Sequence, residues 1–371
     1  MKRYRKSVLF LVLCVISVVS PLLGTAFAQE SSDRGITVSP VKYEFSGEPG
    51  EVLEGTVKYY NSTGSEKDLY LKAFNFEPLG ETGFPGFSND LYPDNASLKD
   101  WIVLETSHIV VEHITEERAH PTIVNFTVHI PEDAAPGGHY AGIIQRLKPF
   151  DQVDELEGSG LVISPESACL IILNVEGAVT REGYSEQFFV ADPYAAEKKP
   201  VKLFEYPPVE FIARVRNSGN THFKPQGNVF LYRGDKKIAD FKVNEDEGNV
   251  LRESIRRFEV DTWGTDEAFI TRVAVKDDDG EPVLDDEGNV KTKIKINWDK
   301  LSHIPIGKYE AKLALVYDGE EGKELIQDSV TFWIIPWKII LIILLIIIIY
   351  ISIVIDRNRR KKNKGKKKDK K

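Results

Sequence analysis

The chain has 371 residues, 42 % of them apolar and 28 % charged, an ordinary globular balance that excludes disorder and collagen and is long enough for two domains. The formal charge of −9 is unevenly spread: residues 1-28 hold four basic side chains, 356-371 hold eleven basic against two acidic, and 29-334 hold 32 basic and 55 acidic, a net of −23. That acidic middle repels nucleic acid, so no nucleic-acid partner is expected.

At the N-terminus, Met1-Lys2-Arg3-Tyr4-Arg5-Lys6 precedes a mostly apolar run from Val8 to Leu23 and then Ala26-Phe27-Ala28, a small-x-small cleavage pattern. Residues 1-28 therefore read as a secretory signal peptide. Ser17, Ser20 and Pro21 interrupt the run short of the ~20 residues a membrane span needs. Of the two cysteines, Cys14 lies in this removable segment, which leaves Cys169 without a disulfide partner. In Ala168-Cys169-Leu170-Ile171-Ile172 it reads as a small buried hydrophobe.

From Gly35 onward the chain alternates with period two in short stretches and shows no long 3.6-residue periodicity. Val209, Phe211, Ala213 and Val215 face one way against Glu210, Arg214 and Arg216. Val290, Thr292, Ile294, Ile296 and Trp298 oppose Lys291, Lys293, Lys295 and Asn297, which predicts a half-buried strand with a solvated lysine face. Tyr309, Ala311, Leu313, Leu315 and Tyr317 repeat the logic. Turn signals such as Asn61-Ser62-Thr63-Gly64, Asn217-Ser218-Gly219-Asn220 and Arg233-Gly234-Asp235 separate the strands.

Two landmarks recur in the same order. A strand ends in Asn61-Ser62 and another in Asn217-Ser218. Pro136-Gly137-Gly138-His139-Tyr140 matches Pro305-Ile306-Gly307-Lys308-Tyr309 as Pro-x-Gly-x-Tyr, each opening an apolar strand. A Gly-x-Tyr corner that places its ring in the core is characteristic of immunoglobulin-like sandwiches. The predicted fold is all-β: two tandem immunoglobulin-like β-sandwich domains, 29-178 and 183-334, followed by a single C-terminal transmembrane helix. Excursions are expected at 77-97, 150-165 and 277-289.

Residues 335-355 form the predicted span. Ile339 to Ile355 is Ile, Leu or Val at every position except Tyr350 and Ser352, flanked by Trp337 and Lys338. The basic tail 356-371 predicts a cytoplasmic C-terminus and an extracytoplasmic N-terminal region, a single-pass plasma-membrane topology.

No catalytic motif is present: Gly-x-Ser-x-Gly, His-Glu-x-x-His, Cys-x-x-Cys and the phosphate-binding loop are all missing, so no enzyme activity and no cofactor are expected. His108, His113 and His120 lie close in sequence, but strand positions five apart face opposite sides and do not predict a metal site. An EF-type calcium loop from Asp277 would need Gly at 282 and Glu at 288, where the chain has Pro282 and Gly288. Solvated hairpin turns are expected there, with a calcium site of another type as the alternative. Phe74, Phe76, Phe84, Phe87, Tyr92 and Trp101 crowd a Gly-Pro-Asn-rich stretch, as either a recognition surface or caps on the core.

Gly35-Ile36-Thr37-Val38-Ser39-Pro40, Pro49-Gly50-Glu51, the strand into Asn61-Ser62-Thr63, Ile130-Pro131 and Pro136-Gly137-Gly138-His139-Tyr140-Ala141-Gly142-Ile143 together resemble the first domain of the bacterial WxL-interacting proteins. The resemblance implies a membrane-anchored surface protein whose first domain, the WxL protein peptidoglycan-binding domain, contacts peptidoglycan. The second half departs from the family at 277-289, so host-protein binding is not carried over. The expected function is a cell-surface binding or scaffold protein that contacts cell wall or other envelope proteins. The alternative is an accessory chaperone-like factor for assembly or secretion of envelope proteins, lending a sheet edge to a client strand.

Overall fold

The computed structural model describes residues 35–88, 93–114, 120–150, 167–320 and 322–368. The signal-peptide reading of 1-28, Tyr92 and almost all of the expected excursion at 150-165 lie outside these residues. The N-terminal strands are β1 (Ile36–Ser39), β2 (Lys42–Gly47), β3 (Val52–Asn61), β4 (Lys67–Pro78), β5 (Pro85–Ser88), β6 (Ile102–Leu104), β7 (His108–Val111), β8 (Thr122–His129), β9 (Gly137–Arg146) and β10 (Ser167–Val175), with a single helical turn, α1 (Leu98–Trp101), before β6. The C-terminal strands are β11 (Gly183–Ala191), β12 (Leu203–Phe204), β13 (Val209–Asn217), β14 (Gln226–Arg233), β15 (Lys236–Val243), β16 (Ile255–Trp263), β17 (Ile270–Ala274), β18 (Thr292–Ile296), β19 (Gly307–Asp318) and β20 (Lys323–Ile334), followed by helix α2 (Trp337–Lys368).

Each set of strands packs as two sheets over its own apolar core. The sheet orders correspond. In the N-terminal sandwich β1-β3-β8-β6 faces β2-β10-β9-β4-β5, and in the C-terminal one β11-β13-β16 faces β12-β20-β19-β14-β15. The first strand changes sheets midway in both. β1 and β11 run antiparallel to β3 and β13, whereas β2 and β12 run parallel to the last strands, β10 and β20.

The repeated Asn-Ser landmark is a repeated hydrogen-bond device. Asn61 and Asn217 are both fully buried at the ends of β3 and β13. Asn61 Nδ2 donates to the carbonyls of Ser65 and Val111 while its Oδ1 accepts from Thr63 N. Asn217 Nδ2 donates to Thr221 and Val250 while its Oδ1 accepts from Gly219 N. A short amide side chain with two donors and an acceptor closes a turn whose backbone groups would otherwise be buried unpaired.

The Pro-x-Gly-x-Tyr landmark is displaced by one residue from the structural repeat. β9 starts at Gly137 (φ 116°) opposite Val175, and β19 starts at Gly307 (φ 135°) opposite Ile334. Gly137 therefore corresponds to Gly307, and His139 to Tyr309. Tyr309 is buried in the C-terminal core against Trp263 and Phe332, as expected. His139 fills the equivalent place, its ring 4.8 Å from that of Trp101. Tyr140 lies on the opposite face of its sheet, because one step along a strand reverses the side chain.

β19 matches its predicted alternation, with Tyr309, Ala311, Leu313, Leu315 and Tyr317 all buried. β18 does not: Ile294, Ile296 and Trp298 are exposed, so the half-buried reading of this strand is corrected. β17 and β18 form a separate two-stranded ribbon with no second layer over the isoleucine face. Alternation reports which side chains share a face, not whether anything covers it.

The apolar helix starts at Trp337. β20 extends to Ile334, and only Ile335 and Pro336 separate it from the helix. Trp337–Ile355 is long and apolar enough to cross a membrane, at about 28 Å for 19 residues, and none of it is buried against the sandwiches.

Candidate functional site

The outer face of the β2-β10-β9-β4-β5 sheet is apolar where a solvated face would be polar. Phe74, Phe76, Tyr140, Ile144 and Ile172 form a buried cluster on it, and Leu251 of the C-terminal sandwich packs against that cluster. The two sandwiches thus meet across the back of one sheet, and the joint is tied at several points.

Glu44 of β2 accepts from Lys224 Nζ at 2.5 Å and from Asn249 Nδ2 at 3.0 Å, and pairs with Lys42 at 2.6 Å. Burial alone would raise its pKa, but these hydrogen bonds outweigh it and hold the carboxyl down at about 2. Glu81, in the β4–β5 turn, receives Arg214 Nε at 2.7 Å and Nη2 at 2.5 Å, and its carbonyl accepts from Arg257 N on the open edge of β16. The Arg214 hydrogen bonds lower the Glu81 pKa. Gly138 N donates to the Asn220 carbonyl, and a Cβ at Gly137 would stand 2.4 Å from that same oxygen. Only glycine permits so close an approach at a positive φ. Tyr140 Oη accepts from Arg252 N, 112 residues along the chain, and its ring meets His222 at 5.8 Å.

A cavity of about 140 Å³ opens at this joint. Phe76, Pro78, Phe84, Pro85 and Ile172 line it from one sandwich and Leu251 from the other, with Asn249 and Arg256 as polar members. Arg256 Nη1 donates to the Asn249 carbonyl at 2.8 Å, while Arg256 Nε and Asn249 Oδ1 are buried with no hydrogen-bond partner. Burial lowers the Arg256 pKa. A second, more polar recess of about 220 Å³ adjoins it through Phe76, Pro78 and Ser254, and is lined by Asn75, Glu77, His139 and Arg252 among others. The two form a groove along the joint, an apolar chamber beside a polar one.

The joint is acid-sensitive, and the sign follows from its two shifted groups. Burial holds His222 at about 4, against 6.5 in the open chain, with Arg181, Lys224 and Lys42 also disfavouring its charge and Glu44 opposing them. An unfolded chain takes up that proton first, so the contribution of neutral His222 is complete above about pH 6.5 and is lost as pH falls towards 4. Glu44 contributes above about pH 4.5, and its share is lost as pH falls towards 2. Discounted for partial exposure, His222 is expected to supply about 2 kcal/mol of stability between pH 7 and pH 4. Urea midpoints measured across that range should fall for the wild type and stay flatter for His222→Gln; equal slopes would remove His222 as the cause.

The residues singled out in the sequence distribute as follows. Phe74, Phe76, Phe87 and Trp101 are buried, whereas Phe84 is 68 % exposed at the mouth of the apolar chamber. His108 Nε2 meets Asp68 at 2.8 Å, His113 Nδ1 accepts from Gly64 N, and His120 is exposed, so the three histidines are not brought together. No group of three metal-ligating side chains occurs among the described residues. Asp277 Oδ1 accepts from Asp279 N and Glu281 N, and Asp285 Oδ1 from Glu287 N and Asn289 N, which makes the acidic stretch two successive side-chain-capped turns. Cys169 is fully buried in the N-terminal core, and burial pushes its thiol up to about 12. The groove residues Asn249, Leu251 and Arg256 were not singled out from sequence. The signal available was the apolar outer face of β10, where Leu170 and Ile172 alternate with the core residues Cys169, Ile171 and Leu173.

No family model matches the chain, and no curated protein matches it. Among solved structures it is similar to the class 5 fimbriae chaperone CfaA at 12 % identity and a TM-score of 0.32, over 71 % of this chain and 100 % of that one. It is also similar to a chain of the CsuC-CsuE chaperone-tip adhesion subunit pre-assembly complex of Acinetobacter baumannii, at 10 % identity and a TM-score of 0.30 over 79 % and 97 % of the two chains. The Escherichia coli chaperone DraB aligns at 9 % identity and a TM-score of 0.27, over 79 % and 98 %. Scores this low transfer nothing about function.

Proposed function

We propose that this chain is a membrane-anchored, extracytoplasmic binding protein that holds a segment of another envelope polypeptide in the groove between its two sandwiches. On this reading 29-178 and 183-334 are two immunoglobulin-like domains, 1-28 is a removed signal peptide, 335-355 spans the plasma membrane and 356-371 stays in the cytoplasm. The observation that carries it is the joint chamber, whose apolar walls Phe76, Pro78, Phe84, Pro85, Ile172 and Leu251 come from both sandwiches and open beside a polar recess. A concave, mostly apolar pocket with a few polar groups beside it is the usual form of a binding site. Edge-strand lending is the second reading: β1, β5, β6, β7 and β12 are at most four residues long, β15 carries Lys236, Lys237 and Lys242 and Glu81 already occupies β16 at Arg257, but β11 is a nine-residue edge of its sheet.

A photo-crosslinking amino acid at Phe84 in the full-length, membrane-embedded chain tests the groove. A discrete adduct with a second polypeptide is expected from position 84, lost on Leu251→Asp and missing from the exposed control position Lys236. An adduct insensitive to Leu251→Asp, or the same adduct from both positions, would sink the assignment. Pulse-chase of the adduct separates a retained scaffold partner, which persists, from a client of a chaperone-like factor, which is released.

A further inference from the structure

The end of the C-terminal sandwich from which α2 departs is apolar well beyond the helix itself. β19 begins at Gly307 opposite Ile334, so the segment leading into β19 lies at the same end of the sheet as Ile335 and Pro336. β12 ends there too, with Phe204 opposite Ile334 and Ile335 N donating to the Phe204 carbonyl. The segment is held compactly. Phe269 N donates to the His303 carbonyl, Lys300 N to Asn297, and Arg233 Nη2 to Ile306 at 2.6 Å.

Despite that order, its large apolar side chains point outward. Trp298 is 73 % exposed and Leu301 58 %, Ile304 and Ile306 are exposed further along the same segment, and the paired Leu203 and Trp333 are exposed on β12 and β20. Trp298 is supported on one side by the Phe269 ring, 5.7 Å away, which fixes its position without covering it. Three of the five tryptophans of the chain are exposed, Trp298 on the segment leading into β19 and Trp333 and Trp337 where β20 passes into α2. An ordered apolar patch of this kind on a folded surface marks a contact.

We infer that this end of the sandwich docks into the headgroup–acyl boundary of the same bilayer that α2 crosses. The inference rests on the anchoring reading above. What commits the patch to lipid is chain connectivity: with two residues between β20 and α2, the end of the sheet stands against the membrane surface, and another macromolecule would have to fit between the two. The composition agrees, since tryptophan with aliphatic neighbours is what occupies the interfacial zone. Lys338 belongs to the same arrangement, its Nζ 2.8 Å from Glu205 beside the helix start. Because the charges nearby are of both signs, with Asp299 next to Lys300, neutral lipid is enough and an anionic headgroup is not required. The consequence is a sandwich pair held at a set angle to the membrane rather than swinging on a tether.

The test is tryptophan quenching in the full-length chain reconstituted into phosphatidylcholine vesicles brominated in the upper acyl chain. Subtracting the emission of Trp298→Phe and of Trp337→Phe from that of the wild type isolates each ring. Brominated lipid is expected to quench both at least twofold relative to unbrominated vesicles. Quenching of Trp337 with Trp298 unaffected overturns the docking and leaves the anchor standing; quenching of neither overturns the anchor and the docking with it. Leu301→Asp with Ile304→Asp should restore Trp298 emission while Trp337 stays quenched. Unchanged quenching of Trp298 in that variant would overturn the assignment of this patch as the contact.

Discussion

Replacing Tyr309 with alanine should destabilise the C-terminal sandwich by about 4 kcal/mol, the usual cost of deleting a buried aromatic ring. The ring is almost fully buried, stacked on Phe332 at 5.4 Å and tilted against Trp263 at 5.1 Å, and Arg233 lies 5.8 Å above it. Its ring neighbours Trp263 and Phe332 lie on strands held by sheet pairing, so they cannot collapse freely into the space left. Tyr140→Ala should behave differently although Tyr140 shares the same sequence motif. That ring lies outside the N-terminal core, between Phe76 and His222, so its loss should loosen the joint while both cores stay folded. Urea denaturation followed by tryptophan fluorescence, with proteolysis of the segment between the sandwiches as a readout of joint opening, separates the two outcomes. If Tyr140→Ala unfolded the N-terminal sandwich to the same degree that Tyr309→Ala unfolds the C-terminal one, the one-residue displacement of the repeat would be wrong.

Asn217→Ala is the second large effect, at about 3 kcal/mol, because it leaves the carbonyls of Thr221 and Val250 and the amide of Gly219 without the partner they have in the fold. No water reaches a side chain with no exposed surface, so the penalty is not recovered by solvation. Asn61→Ala should cost a similar amount in the N-terminal sandwich through Ser65, Val111 and Thr63. Asp at either position should rescue little, since a carboxylate accepts from the amide but cannot donate to the two carbonyls. A thermal or urea midpoint for Asn217→Ala within error of the wild type would show that the turn is held by other contacts.

Strand positions with a strict alternation were legible because each depends on a few neighbouring residues. β13 and β19 place Val209, Phe211, Ala213 and Val215, and Tyr309 through Tyr317, in the core where alternation puts them. The same pattern misled at β18, where Ile294 and Ile296 share a face that nothing packs upon. The groove was not legible because its walls come from β4, β5 and β10 on one side and from the segment around Asn249 to Arg256 on the other. No spacing along the chain signals that these will face each other.

Local chemistry in the sequence alone determined the apolar helix at the C-terminus, the succession of strands and turns, and the Asn-Ser steps at which two of the strands end. Each is encoded in one short run of adjacent residues, where side-chain period and turn chemistry act directly. Tertiary structure decided which side of β9 receives Tyr140, that Glu44 and Glu81 join the two sandwiches, that Asn249 Oδ1 and Arg256 Nε remain without partners, and that Trp298 stays exposed against Phe269. These outcomes turn on register and on contacts between segments far apart in the chain, and a shift of one residue reverses every side chain in a strand.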